Sequence, residues 1–143
     1  GMQYHLLALY LISRIFRLKI PVVGPSVSKI INHFALFYTS CDISPLAEID
    51  LSVRFPHPTG IVIGEGVKIG ANTKIWQHVT IGSHGKEIKE YPIIGAGVKV
   101  FSKASILGGV KIGSGSIIGA HALVLISVPK NGTAKGVPAR VSV

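Results

Sequence analysis

The sequence is short of cysteine, acidic residues, aromatics and long apolar runs, and each shortage removes a class of protein. Its single cysteine, Cys41, has no partner for an internal disulfide and fits a reducing compartment. The thiol beside Asp42 reads as a buried filler in preference to a nucleophile. Six Asp and Glu face 15 Lys and Arg, a formal charge of +9 that favours phosphates, nucleic acid or acidic lipid as partners. No Lys/Arg block and no interleaving of basic with aromatic residues accompanies that charge, so nucleic acid is set aside. Aromatics are 7% of the 143 residues while hydrophobic residues are 48%, so Ile, Val, Leu and Ala must fill the interior. The apolar run 6–12 is too short to cross a bilayer. A signal peptide carries its charges ahead of such a run, whereas Arg14, Arg17 and Lys19 follow it. The expectation is a cytoplasmic chain, with contact at the inner membrane surface as an alternative, because basic groups flank apolar ones.

Glycine, by contrast, is plentiful, at 17 residues, too many for a plain helical bundle. Gly1 before Met2 reads as a remnant of expression and carries no fold information. Leu6, Leu7, Tyr10, Leu11, Ile15 and Phe16 recur at helical spacing, with Arg14 and Arg17 off the stripe. A second helical run spans residues 26–37, its apolar set being Val27, Ile30, Ile31, Phe34 and Leu36. Two helices this short enclose no core, so they must pack on the rest of the chain or on another subunit. Residues 1–40 are thus expected to be a short helical segment, and residues 41–143 a separate β domain.

From Ile63 a period of six sets in. Ile63, Ile69, Ile75 and Ile81 obey it, as do Ile94, Val100, Ile106, Ile112, Ile118 and Val124. Four residues after most of these comes a second small or β-branched side chain: Val67, Thr73, Val79, Val98, Ala104, Val110, Ser116, Ala122 and Val128. No helix holds one apolar face at a six-residue period. A short strand followed by a corner does, because the inward positions return once per side. "GEG", "GAN", "GAG" and "GSG" supply the corners. This pattern, over about residues 45–129, resembles the hexapeptide-repeat acyltransferases. That resemblance implies a mainly β fold, a left-handed parallel β-helix of triangular section with eighteen residues per coil, preceded here by the two helices.

Two places break the period. Extended backwards from Ile63, it lands on His57, Leu51 and Pro45, which makes His57 a polar exception in an aliphatic column. Asp42 lies fifteen residues upstream, a little under one coil, so neighbouring layers could bring the two side chains together. A carboxylate beside an imidazole fixes its tautomer and stabilises its cation, which suits a general base. The second break is "SHGKEIKEYP", residues 83–92, where the chain leaves the solenoid and returns.

The segments "CDISPLAEIDLSVRFPHPTGIVIGEGVKIG", "QHVTIG" and "GVPARV" resemble the serine acetyltransferase branch of that family, over residues 41–141. The resemblance implies an Asp42–His57 catalytic dyad and acetyl-CoA as acyl donor. It implies a donor channel lined by Gly82, Ser83, Ser102 and Ala120, with Lys135 and Arg140 near the nucleotide end. It also implies a homotrimer with sites at the subunit interfaces. His78 is the alternative base, and His84, Glu90 and Tyr91 form a substrate loop. Departures matter as well. Pro56 stands where the branch has Asp before its His, and Glu90-Tyr91 replaces an Arg-His pair that serves the amino-acid carboxylate. The long N-terminal domain is reduced, and the chain stops at Val143 without the extension that docks a sulfhydrylase, which argues against that complex.

The expectation is therefore an acetyl-CoA-dependent O-acetyltransferase acting on an acceptor hydroxyl, with a sugar of surface polysaccharide synthesis favoured. A true serine O-acetyltransferase of cysteine biosynthesis is the alternative. A zinc enzyme on the same scaffold needs three converging imidazoles. No His pair at the necessary spacing occurs, so no metal is expected. A non-catalytic binding protein is the remaining class. Trp76 could stack on a ligand or pack between subunits, and His121 reads as a surface corner group.

Overall fold

A computed structural model describes residues 1–85 and 89–143. It opens with two helices, α1 (Met2–Lys19) and α2 (Gly24–Thr39). Pro25 at the start of α2 suits a first helical turn, whose amides have no partner within the helix, and Ser40 ends α2 in a left-handed conformation. α1 buries Leu6, Tyr10 and Ser13, with Leu7 and Leu11 packed against the core. The expected stripe is narrower than its spacing promised, for Ile15 is exposed. The seam between the helices is close and polar instead. Ser13 donates to Asn32 Oδ1 at 2.6 Å and its Oγ lies 2.8 Å from Ser28 Oγ, while a side chain at Gly24 would collide with the Phe16 carbonyl.

α2 departs further from expectation. Ile30, Phe34 and Leu36 are exposed, together with Phe37 and Tyr38, and its buried residues are Gly24, Ser28 and Thr39. Helical spacing fixes which residues share a face, but the inward face is chosen by what can approach α1, and the small residues win. α1 supplies the tie to the β region. The Tyr10 hydroxyl donates to the Ala47 carbonyl at 2.7 Å and accepts from the Ile49 N–H at 3.3 Å. Arg14 adds donations to the carbonyls of Pro45, at 3.0 Å, and Ala47. No described helix is long and apolar enough to cross a membrane.

From Asp42 the chain winds into three parallel walls. The first wall holds β1 (Asp42–Ile43), β3 (Val62–Ile63), β6 (Thr80–Gly82), β9 (Ser105–Leu107) and β12 (Leu123–Val124). The second holds β2 (Glu48–Ile49), β4 (Lys68–Ile69), β7 (Ile93–Ile94) and β10 (Lys111–Ile112). The third holds β5 (Lys74–Ile75), β8 (Lys99–Val100), β11 (Ile117–Ile118) and β13 (Thr133–Lys135), closed by the antiparallel β14 (Arg140–Ser142). Most strands are two residues long, one out and one in, because a triangular coil gives each side room for no more. The inward aliphatics read from the period are all buried, from Ile63 through Val124, and so is every member of the second set. Thr73 and Ser116 in that set satisfy their hydroxyls on the Gly95 and Pro129 carbonyls.

Register shows where coils depart from eighteen. Val62 pairs with Thr80, eighteen on, and Ser105 with Leu123, again eighteen. Thr80 pairs with Ser105, twenty-five on, which accommodates the 83–92 excursion. Asp42 pairs with Val62, twenty on, and this overturns the backward extension of the period. The inward residues of the first coil are Ile43, Ile49, Phe55 and Ile61; Leu51 and His57 are exposed and Pro45 is only half-buried. Five residues separate Phe55 from Ile61, where Ile75 and Val79 in the next coil have three between them. The two extra residues swell the corner "PHPTG", and His57 is carried on its outside, not in the core.

Candidate active site

The edge joining the third wall to the first is a column of left-handed backbone: Ser40, Gly60, His78, Lys103 and His121, one per coil. Each corner is locked to the one below. The N–H groups of His78, Lys103 and His121 donate to the carbonyls of Thr59, Gln77 and Ser102 at 2.9–3.0 Å. The edge between second and third walls meets the same demand with Asn72, Gly97, Gly115 and Asn131, residues that accept such angles at low cost.

His57 and Asp42 flank the lower end of the first edge. His57 projects from the swollen corner, whose turn is closed by the Thr59 N–H on the His57 carbonyl at 2.9 Å. Asp42 opens the first wall with its side chain exposed and its N–H on the Ile61 carbonyl at 2.8 Å. They thus belong to adjoining parts of neighbouring layers. Among the described residues no hydrogen bond joins the two side chains. His78 stands one coil above. Its imidazole lies over Gly60 so closely that a Cβ there would collide with Nδ1. Both candidate bases therefore lie on one edge, in successive coils.

Ser102 and Ala120 follow higher on that edge. At its top Lys135 and Arg140 pair directly across the β13–β14 ladder, both exposed. Gly82 and Ser83 lie instead at the opposite end of the first wall, where β6 runs into the loop. Among the described residues, none lies within 4 Å of where a Gly82 side chain would stand. Beside them His84 and Glu90 line a cleft of about 360 Å³ with Leu107, Gly108, Gly109, Val110 and Leu125. Tyr91 is drawn away from that cleft. Its ring covers Gly66 and its hydroxyl donates to Glu65 Oε1 at 2.9 Å, which holds the phenol in its protonated form. The expected channel residues therefore split between two edges of one protomer.

Sequence reasoning missed several features. Trp76 stacks on Phe101, ring centroids 4.7 Å apart, and the signal was their matching place after Lys74-Ile75 and Lys99-Val100. The side-chain amide oxygen of Gln77, in the same corner, is buried without a partner among the described residues. A further cleft, about 560 Å³, lies between α1 and the second wall, away from both edges. Cys41 is buried and burial raises its pKa, so the filler reading holds over the nucleophile. No cluster of three or more His, Cys, Asp or Glu gathers among the described residues.

A family model for the bacterial transferase hexapeptide, six repeats, matches residues 91–125. The serine acetyltransferase of Buchnera aphidicola is 45% identical over 104 residues, 71% of this chain. The chain belongs to the hexapeptide-repeat transferases. Within that family its neighbours are serine acetyltransferases. A soybean serine acetyltransferase solved with serine superposes at a TM-score of 0.88 with 35% identity over 96% of this chain, and a serine acetyltransferase solved with CoA at 0.89 with 32% identity over 99%. The left-handed β-helix and the helices before it are common to this chain and those structures. The chain spans only part of their length: 38% of the Buchnera protein, 56% of the soybean chain and 58% of the CoA-bound one.

Proposed function

We propose that the chain transfers the acetyl group of acetyl-CoA to the hydroxyl of L-serine. The observation that carries this is the 45% identity to a serine acetyltransferase across the β-helix, in a chain that keeps Asp42 and His57 at one edge. L-serine thereby displaces the sugar hydroxyl as the leading acceptor. His57 takes the hydroxyl proton as the oxygen attacks the thioester carbonyl, with Asp42 orienting the imidazole. The tetrahedral oxyanion is stabilised by backbone N–H groups near Gly82 and Ser83. Collapse breaks the carbon–sulfur bond, and His57 returns the proton to the departing thiolate. No group on the enzyme is acylated, so ternary-complex kinetics follow.

The division of residues between two edges supports a homotrimer. The edge with His57, Ser102, Ala120, Lys135 and Arg140 would face the neighbour's edge with Gly82, Ser83 and His84, placing three sites between subunits. The donor fits such a groove. Lys135 and Arg140 have no carboxylate within ion-pair distance among the described residues, and Gly82 leaves room for a thioester. From the His57 corner to Lys135 is four rungs, about 19 Å at ~4.8 Å each.

One observation favours the sugar reading. Glu90 shares its cleft with His84, and a carboxylate there repels an amino-acid carboxylate. A panel of L-serine and neutral sugars, followed by release of free thiol from acetyl-CoA, separates the two. Turnover of L-serine well above the sugars supports the proposal; turnover of a sugar alone sinks it. If neither acceptor nor acetyl-CoA hydrolysis exceeds background, the chain is a binding protein.

A further inference from the structure

We infer that Arg54 and Lys74, on the third wall below the swollen corner, hold the carboxylate of the acceptor; this rests on the L-serine reading above. Arg54 bridges Lys74 in parallel register and Lys74 pairs with Lys99, so three outward cations stack on successive rungs about 4.8 Å apart. Like charges placed directly opposite one another repel and weaken a sheet. On the second wall the same problem is solved internally, where Lys68 meets Glu48 at 3.2 Å. No such partner serves the third wall. Among the described residues, Asp42 lies on the first wall, Glu48 and Asp50 on the second, and Glu65 and Glu90 toward the first-to-second edge. Among the described residues, the column therefore has no carboxylate of its own.

A cavity at its foot tells which anion fits. Arg54, Lys74 and Trp76 line a cleft of about 480 Å³ with Pro56 and Pro58, the two residues on either side of His57, and with Gly1, Met2 and Gln3 at the start of α1. A carboxylate bound by Arg54 and Lys74 would thus lie in a depression bordered by the turn that carries the base. The Arg54 guanidinium offers a planar fork matched to a carboxylate, and Lys74 a second donor from the next rung. The arrangement also accounts for Glu90. With carboxylate recognition on the third wall, the loop has no need of a cation.

The test uses the wild-type chain with Arg54→Gln, Arg54→Lys and the double variant Arg54→Gln, Lys74→Gln. L-serine is compared with L-serinamide, which keeps the hydroxyl and ammonium but lacks the carboxylate. Trp76 lies in the same cleft and is the chain's one tryptophan, so its fluorescence reports L-serine binding without turnover. The expected result for Arg54→Gln is a KM for L-serine raised about tenfold with kcat little changed, since one charge-assisted hydrogen bond at a half-open site is lost. Preference for L-serine over L-serinamide falls by the same factor, Arg54→Lys restores most of it, and the Trp76 titration shifts in parallel. A double variant that keeps the wild-type KM, preference and titration overturns the anchor while leaving serine acetylation standing. A wild-type chain that does not turn over L-serine overturns both.

Discussion

Cys41 and Tyr10 are the two buried side chains whose protons the fold holds most firmly. Burial raises the pKa of each above its ordinary value, most strongly opposed by the Ile61 backbone for Cys41 and by Arg14 for Tyr10. A group with a raised pKa in the folded state contributes stability that is full below its unfolded pKa and is lost as pH rises through the folded one. The urea midpoint is therefore expected to hold steady from neutral pH to about pH 8.5 and fall beyond it, as the ordinary thiol and phenol ranges are passed. Tyr10→Phe should lower the unfolding free energy at neutral pH by about 1–3 kcal/mol, because the Ile49 N–H loses its acceptor. It should also flatten the alkaline fall. A variant with unchanged stability and unchanged pH dependence would contradict the role given to this hydroxyl. Residue by residue, chemistry was easier to read than position. The type of His57 and its distance from Asp42 were on the page of the sequence, but its orientation was not, because a corner puts no apolar constraint on its length. The two extra residues between Phe55 and Ile61 leave no mark on the aliphatic period.

At the scale of the element, the walls were legible and the helices only in part. Ile106, fully buried with strand neighbours on both sides, is representative of the walls. Its aliphatic chain must return to the interior on every side of every coil, and that necessity writes the period into the sequence. Ile106→Ala should cost about 2–5 kcal/mol, measured by urea unfolding, as the neighbouring rungs cannot collapse into the space. A cost within a few tenths would mean the interior is not packed as described. α2 shows the limit of periodicity. Phe37 is 90% exposed although it belongs to an apolar face, for spacing says which residues lie together and nothing about what lies against them. Phe37→Gln should accordingly leave the unfolding midpoint within about 0.5 kcal/mol of wild type. A larger loss would show that this face is covered in solution.

For the molecule as a whole, the division of candidate residues between two edges is the feature that a linear reading could not supply. A resemblance assigns residues to a channel one by one; only the register of the coils shows that Gly82 and Ser83 lie across the first wall from Ser102 and Ala120. In the proposed trimer, these two edges meet between subunits. Sedimentation should find a trimer at micromolar concentration, and a chain that is monomeric yet fully active would refute sites shared between subunits. Charge is divided too: cations stack on the third wall, whereas on the second Lys68 is paired with Glu48.

The most direct measurement is thiol release from acetyl-CoA with L-serine by the wild type, His57→Ala and His78→Ala, each checked for unchanged secondary structure and assembly. General-base removal typically costs about 10²–10⁴-fold, so His57→Ala should lose that much turnover while His78→Ala stays within about tenfold of wild type. Near-full activity in His57→Ala, with the loss falling on His78→Ala, would contradict the account.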